Sequence, residues 1–451
     1  MSGGTWNRIA GKERAGTYIN FESAKQEVIG GAERGTVIIP LANTTYGPAG
    51  TFITLTNAAP DAAIEQLGYS IYDNDPKGNM LLIKEALKGA SIVMVYICTE
   101  GKTAAIGAGG GVMATAKYKG SRGNALAYTI AANPLGGFDV EIHLDGAKVE
   151  VFERIETIED LASSRYLTFL LDGESGISTV AGITLQGGID KETDNKDVTA
   201  FLDAAGMNKN WNTMAFPFTE ESLQAALKTK IEYLRESCGI YVQAVAPNFA
   251  ADYEGIINVT NSYMLDKQEL TVAQATAYVA GITAGASNVQ SNTAITVDGA
   301  TAVIGEKDNE ASITALKAGE FFFSVSNTGK VIVENDINSL VTISSKKDKS
   351  YRKNRVIRVF DTFGDSVKAN FPPNKYDNDP DGWDIMEGVG KAILKLYGPK
   401  SEGGVGAIKN VDYNLDFLVN REISQGDETY FKIGLEAVDS SEKLFFTVTT
   451  R

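Results

Sequence analysis

The sequence contains one histidine, His143, and this residue limits the chemistry that the chain could perform. In the segment GFDVEIHLDG the residues alternate, which predicts that the imidazole lies beside Glu141 and Asp145 on one face of a hairpin strand. Zinc catalysis by the usual ligand sets needs more than one histidine. Neither a GxSxG motif nor a Cys–His pair in a credible context supplies a nucleophile. We therefore expect a surface or interface role for His143, and no catalytic site, metal or cofactor.

A glycine-rich run, GAGGG at 107–111, is the next candidate because phosphate-binding loops are rich in glycine. A dinucleotide-binding loop lies between a strand and the helix that it opens, whereas this run leads into a β pattern. A P-loop continues into Gly-Lys-Ser or Gly-Lys-Thr, and neither follows these glycines. We predict that residues 100–112 form a Gly/Ala linker.

The segment YDNDPDG, residues 376–382, imitates the opening of a calcium-binding loop. Asp377, Asp379 and Asp381 have the spacing of cation ligands before a glycine. The twelfth position, however, is Gly388 rather than a bidentate glutamate, and YDNDP also occurs at 72–76. We predict turns built by Asx side chains without a metal.

Charge and composition exclude some classes of partner. The net charge is −15 and the pI is about 4.8, which argues against a nucleic-acid surface, because such surfaces need clustered Lys and Arg. The main basic cluster is SSKKDKSYRKNR at 344–355. It is either a solvated segment or a contact for an acidic protein neighbour.

The cysteines and the apolar runs indicate a protein that is made and kept in the cytoplasm, at least until some assembly leaves the cell. Cys98 and Cys238 lie in apolar surroundings, and we expect both to be reduced core residues. The N-terminal residues lack the apolar region of a secretory signal. No run reaches the roughly 18 apolar residues of a membrane span, so we expect no membrane insertion.

The strand and helix patterns predict an α/β core with an inserted antiparallel β-sandwich, a C-terminal α+β domain and extended N- and C-terminal arms. Apolar runs at 35–41, 90–98 and 239–247 are typical of strands covered on both faces. The alternating segments between 117 and 169, divided by Asn-Pro and Asp-Gly turns, indicate the sandwich or a small barrel. The predicted units are an N-terminal arm at 1–28, the first part of the core at 29–99, the sandwich at 100–174, the rest of the core at 175–340 and a C-terminal domain at 341–451.

Particular elements of this prediction can be compared with a structure. We predict helices at 61–69, 77–88, 197–205, 219–238 and 383–397. Within the C-terminal domain, the segment RKNRVIRVFD at 352–361 is predicted to be a basic strand because of its Val and Ile residues. Further strands are predicted at 412–419, 429–438 and the C-terminal segment.

The two ends of the chain each carry a short strand pattern with no partner close in sequence. One is formed by Thr17, Tyr18, Ile19, Asn20 and Phe21. The other is formed by Leu444, Phe445, Phe446, Thr447, Val448 and Thr449. An unpaired strand is a template for another chain.

Many segments of the sequence, in order, resemble contractile phage tail sheath proteins, in particular the short sheaths of myophages, defective prophages and phage-tail-like bacteriocins. They are AGTYINFESA, ERGTVIIPL, TYGP, KGNMLLIKEALKGASIVMVY, AKYKGSRGNAL, LQGGID, NTMAFPF, QAVAPNFAADYEGIINV, TAYVAGITAGASNVQS, EFFFSVSNTGKVIVENDINSL, KNRVIRVFD and AVDSSEKLFFTVTT. One departure is Ala15, where the family usually has a proline before the glycine.

This resemblance implies a subunit of stacked hexameric rings that form a helical sheath around an inner tail tube protein. It further implies that other copies of the chain receive the two terminal strands, and that a baseplate and a tail terminator are partners. On a baseplate trigger, the sheath would contract and drive the tube through a target envelope. We expect Lys391 and Lys395, on the predicted helix at 383–397, to contact an acidic tube surface.

Two other functions compete with this interpretation. A non-contractile surface or adhesive protein of a phage particle would accommodate the sandwich, but it does not account for the arms. An α/β hydrolase or a nucleotide-using enzyme lacks support from His143 and from the glycine-rich run.

Overall fold

The structure, a computed structural model, describes residues 2–4, 16–18, 34–173 and 176–449. In chain order the strands are β1 (Ser2–Gly4), β2 (Gly16–Tyr18), β3 (Thr36–Leu41), β4 (Phe52–Thr56), β5 (Ile92–Ile97), β6 (Ile106–Gly109), β7 (Val112–Ala116), β8 (Leu126–Ala132), β9 (Phe138–Leu144), β10 (Ala147–Ile155), β11 (Leu167–Leu171), β12 (Val180–Thr184), β13 (Thr213–Ala215), β14 (Gln243–Pro247), β15 (Ile256–Val259), β16 (Ser262–Leu265), β17 (Gln268–Glu269), β18 (Ala300–Ile304), β19 (Glu320–Phe321), β20 (Phe323–Val325), β21 (Val331–Val333), β22 (Phe417–Val419) and β23 (Phe431–Ile433). The helices are α1 (Ile64–Leu67), α2 (Asn79–Leu87), α3 (Asn195–Met207), α4 (Glu221–Glu232), α5 (Val272–Gly285), α6 (Asn309–Lys317), α7 (Asn354–Asn370) and α8 (Pro380–Tyr397).

A seven-stranded sheet of order β19-β15-β14-β13-β3-β5-β4 forms the centre of the core. Its strands are parallel except β4, and the pairing of β13 with β3 joins the parts of the chain before and after the sandwich. Ile38 and Ile39 are both fully buried and lie in opposite hydrophobic layers. Helices α2 and α5 cover one face and α3 and α4 the other, which explains the continuous apolar strands. The predicted α/β core is confirmed.

The inserted domain consists of a four-stranded sheet, β10-β9-β8-β12, and a three-stranded sheet, β11-β7-β6, both antiparallel. Their facing side chains, including Tyr128 and Phe169, form one apolar cluster. The Asp145–Gly146 turn between β9 and β10 has positive φ at both residues, as a two-residue hairpin turn of this kind requires. The predicted β-sandwich is therefore confirmed.

Two details of that prediction are wrong. The glycine-rich run is not a plain linker, because residues 106–109 form β6 and Gly110 and Gly111 make the tight turn into β7 with φ of 67° and 75°. Small glycines with left-handed backbones suit such a turn. The sandwich also continues past residue 174, since β12 pairs with β8.

The C-terminal domain packs α7, α8 and the β22–β23 hairpin around one apolar cluster. Phe417 of β22 lies against Gly390 of α8, where an added Cβ would stand 2.0 Å from the Phe417 ring. This close approach requires a glycine. The prediction of α8 is confirmed, and the predicted α+β character of the domain is confirmed with it.

The predicted strand at 352–361 is wrong, because most of this segment belongs to helix α7. Its buried apolar residues Val356, Val359 and Phe363 are three and four positions apart, which is helical spacing. The β-branched residues misled the prediction because tertiary packing overrides weak propensities.

The cysteines differ in their surroundings. Cys98 is buried, and burial raises the pKa of its thiol to about 12. The expectation that Cys238 also lies in the core is wrong, because it is exposed directly after the helical turn that extends α4 to Ser237. In the described ranges, every helix is too short or too polar to span a bilayer.

A buried ion pair joins the core to the C-terminal domain. Arg235, in the turn that extends α4, donates two hydrogen bonds of 2.9 and 2.7 Å to the carboxylate of Asp361 on α7. Both side chains are almost fully buried. A charged side chain that loses its partner at a buried position is not hydrated in exchange. Removing one partner of this pair is therefore strongly destabilising.

We predict that Asp361→Ala lowers the free energy of unfolding by about 3–5 kcal/mol, because it leaves the buried Arg235 guanidinium unpaired. Urea unfolding measures this loss. The double variant Arg235→Met/Asp361→Leu should lose much less, and Glu436→Ala, which breaks an exposed pair with Lys409, serves as the control. A single variant that behaves like the control would contradict the prediction.

Candidate assembly interface

The C-terminal segment is attached to the rest of the chain through Glu442. Its Oε1 accepts hydrogen bonds from Thr293 (2.8 Å), Ser291 (3.2 Å) and Ser440 (2.9 Å). Its Oε2 pairs with the Lys353 ammonium group. Thr293 belongs to the core and Lys353 immediately precedes α7, so this carboxylate connects both domains to the root of the segment.

The hydrogen bonds and the nearby charge at Glu442 affect its pKa more than burial does. Burial acts to raise the pKa of this carboxyl, but the hydrogen bonds from Lys353 and Thr293 and the Lys353 charge hold the pKa below its usual value. The ionised form is therefore the one that the site stabilises.

The described residues that follow Glu442 are exposed to solvent. Phe445 is 92% exposed, Phe446 83% and Val448 86%, and Leu444 is also exposed. Residues 443–449 form no strand, and none of them makes a hydrogen bond to another residue within the part of the chain that the structure describes. A contiguous apolar surface of this kind is typical of an interaction site. We call residues 443–449 the C-terminal arm.

The N-terminal strand is described only in part. Thr17 and Tyr18 lie in β2, which pairs in parallel with β1 over three residues. The expectation that this strand has no partner close in sequence is therefore wrong for Gly16–Tyr18. Ile19, Asn20 and Phe21 lie outside the described residues.

The β22–β23 hairpin is a two-stranded sheet with no third strand among the described residues. Its β22 side packs on α8, whereas Lys432 and Ile433 of β23 are exposed. A two-stranded sheet is marginally stable by itself, and its outer edges offer unpaired backbone groups to a further strand.

Lys391 and Lys395 lie on the same helix, α8, one turn apart. Lys391 is half-buried and Lys395 is exposed, with its Nζ 5.9 Å from the centre of the Tyr413 ring. Neither forms a salt bridge with a described residue. Ile385, 59% exposed, adds an apolar side chain to the exposed surface of α8.

The residues considered for chemistry form structural contacts. Asp379 caps α8 by accepting from the Gly382 amide at 2.7 Å, and Asp75 in the other YDNDP segment accepts from the amides of Asn79 and Met80 at the start of α2. These contacts confirm the prediction of turns built by Asx side chains. Among the described residues, no group of three or more His, Cys, Asp or Glu side chains is arranged to hold a metal.

His143 lies on β9, half-buried, with its Nε2 3.5 Å from Glu141. The structure brings these two residues together as predicted, but Asp145 pairs instead with Arg122. The basic cluster at 344–355 is partly engaged within the chain, since Lys347 pairs with Glu254 at 2.6 Å and Lys353 with Glu442.

Comparison with known proteins assigns the family. Residues 99–191 match the phage tail sheath protein beta-sandwich domain, residues 191–339 the central domain and residues 346–451 the C-terminal domain. The phage-like element PBSX protein XkdK of Bacillus subtilis is 35% identical over 475 aligned positions, which cover 99% of each chain. The chain belongs to the phage tail sheath family.

Solved structures agree with this membership. The sheath tail protein of Desulfitobacterium hafniense has 35% sequence identity and a TM-score of 0.82, covering 96% of this chain and 99% of that one. The helical sheath of the anti-feeding prophage in its contracted state shares the fold, with a TM-score of 0.57, 12% identity and coverage of 97% and 99%. The resemblance found in the sequence is confirmed, and so is the predicted fold class.

We predict that Glu442→Gln weakens the attachment of the C-terminal arm by about 1–2 kcal/mol near neutral pH, as expected for partly exposed hydrogen bonds to a charged group. Because the folded-state pKa is lowered, this contribution is present above the pKa of the unfolded chain and is lost as the pH falls through the folded-state value. Urea unfolding between pH 7 and pH 3 measures it. The difference between wild type and variant should shrink on acidification, and a constant difference would contradict the assignment.

Proposed function

We propose that this chain is a structural subunit of a contractile tail sheath. In this proposal the chain polymerises around an inner tube through donated terminal strands and contracts to drive the tube through a target envelope. The observation that carries the proposal is the exposed, apolar C-terminal arm, which is unpaired within the described part of the chain. A monomer gains nothing from holding two phenylalanine side chains in water, whereas a neighbour that receives them removes this apolar surface from solvent.

The proposed contact is the addition of a strand to an existing sheet. The acceptor is the β22–β23 hairpin of a neighbouring copy, which lacks a third strand among the described residues. Backbone hydrogen bonds supply the attraction in such contacts, and alternating side chains set the register. Residues 17–21 of a further copy would add to the same intermolecular sheet.

Contraction requires that subunits stay connected while they move. A root held by Glu442 and an arm without internal hydrogen bonds suit this requirement, because the arm can change direction while both domains move as rigid bodies. The contracted arrangement would bury more contact surface than the extended one. A few kcal/mol gained per subunit, summed over many copies, would then perform the work without nucleotide hydrolysis.

The proposal includes the other partners that a sheath needs. A baseplate would provide the trigger and a tail terminator would close the opposite end. Assembly would take place in the bacterial cytoplasm, followed by release as a phage tail or a phage-tail-like particle.

Deletion of residues 443–451 should leave a folded monomer that forms no rings or tubes, because it removes the donated strand. Sedimentation velocity and negative-stain imaging, with and without the inner tube protein, measure assembly, and circular dichroism checks the fold. Striated tubes formed by the truncated chain would contradict the role of the arm.

A matched pair of variants separates strand pairing from loss of apolar surface. Phe446→Pro/Thr447→Pro removes two consecutive N–H groups, at least one of which must face an acceptor strand. Phe446→Leu/Thr447→Val keeps both groups and the apolar character. Only the proline variant should lose assembly, and equal loss in both would argue against backbone pairing.

We propose further that α8 contacts an acidic surface of the tube through Lys391 and Lys395. Reversal of both charges to Glu should lower sheath docking on isolated tubes by at least about tenfold, because like charges across an interface repel. Co-sedimentation with tubes measures docking. The control is Lys267→Glu/Lys330→Glu, which changes the net charge equally at exposed sites elsewhere. The contact would be contradicted if the variant at Lys391 and Lys395 docked as strongly as this control.

A further inference from the structure

A cavity of about 510 Å³ lies beside the root of the C-terminal arm. Its walls come from the end of α6, from residues 349–353 and from residues 439–443. Four cationic side chains line it: Lys349, Arg352, Lys353 and Lys443. Two carboxylates, Asp439 and Glu442, also line it, and Glu442 is neutralised by Lys353. The cavity therefore has an excess of positive charge.

Several of these cations have no anionic partner. Lys349 and Lys443 are exposed, and neither forms a salt bridge with a described residue. Arg352 donates from Nη2 to the carbonyl oxygens of Leu316 and Lys317, which caps the C-terminal end of α6. Its Nε, by contrast, is buried without a hydrogen-bond partner. The charges of Lys349 and Lys443, which have no anionic partner among the described residues, make the cavity suited to an incoming anionic group.

The opposite end of α6 carries the complementary charge. Glu306, Asp308 and Glu310 are exposed where the helix begins. Asp308 caps α6 through the Ala311 amide at 2.8 Å. The nearby cation, Lys307, is already engaged with Glu320 at 3.4 Å. We call this acidic group of three carboxylates the acidic end of α6.

The two charged surfaces are separated by the length of α6, which is nine residues or about 13–14 Å. Because they lie at opposite ends of one helix, they cannot meet within one subunit. Complementary surfaces at different places on the same molecule produce head-to-tail association, which continues into rings or helices.

We propose that the basic cavity beside the arm binds the acidic end of α6 of a second copy of this chain. This inference rests on the proposed function and adds a charged contact to the donated strand. Such a contact sets register and speeds association. Since Lys443 is the first residue of the arm, docking here would also hold the point from which the arm leaves its subunit.

Charge reversal on each side tests the contact. The cavity variant is Lys349→Glu/Lys443→Glu, and the acidic-end variant is Glu306→Lys/Glu310→Lys, which keeps the Asp308 cap. Each alone should raise the protein concentration needed for half-maximal assembly by at least about tenfold, because like charges then face each other. The control, Lys102→Glu/Lys209→Glu, makes the same charge change as the cavity variant at exposed sites.

Recombination of the two variants identifies the occupant. The chain with all four substitutions should recover assembly to within about threefold of wild type, since the charges are exchanged rather than lost. An equimolar mixture of the two variants should also assemble better than either alone. The proposal would be overturned if neither the chain with four substitutions nor the mixture recovered assembly. It would also be overturned if the cavity variant and the acidic-end variant each assembled as well as the control. An effect of the cavity variant that appears only with tubes present would assign the cavity to the tube and also overturn it.

The outcomes separate this inference from the proposed function. If wild type assembles and the chain lacking residues 443–451 does not, the proposed role of the donated strand is supported. This conclusion does not depend on the results with the charge variants. If wild type forms neither rings nor tubes, the proposed function fails and the charged contact fails with it.

Discussion

Backbone N–H and C=O groups that need hydrogen-bond partners are the constraint on which the rest of this structure depends. An extended apolar segment can satisfy its N–H and C=O groups with water, but its side chains then remain exposed, as Phe445 and Phe446 do here. Pairing with a sheet satisfies both needs together. Within the part of the chain that the structure describes, the C-terminal arm makes no such pairing, and this is the reason for proposing that another copy supplies the sheet.

The folded domains determine where the arm begins. A parallel sheet covered on both faces forms a rigid core, and the buried pair of Arg235 and Asp361 fixes α7 against it. Glu442 then attaches the arm at the boundary of the two domains through Thr293 and Lys353. The arm therefore leaves the subunit from a defined point. Membership of the phage tail sheath family is consistent with these properties.

The parts of the fold that depend on long, uniform patterns could be predicted from sequence. The buried strand at 36–41 is a continuous apolar run, and the turn at Asp145–Gly146 has the residues that its backbone demands. Helix α7 could not be recognised from propensity, since its Val and Ile residues favour strands and only their spacing indicates a helix. Cys238 was misplaced because apolar neighbours in sequence do not determine exposure at the end of a helix. Alternation predicts a strand at 444–449, whereas the described chain has exposed residues without strand structure there. The attachment of this segment could not be predicted, because Thr293 and Lys353 are remote from Glu442 in sequence.

A reconstruction of assembled particles by electron cryomicroscopy tests the central claim most directly. The account predicts that residues 444–449 of each copy form a strand hydrogen-bonded to β23 or β22 of a different copy. If the reconstruction instead showed this segment folded against its own subunit, with no sheet shared between copies, the account would be contradicted.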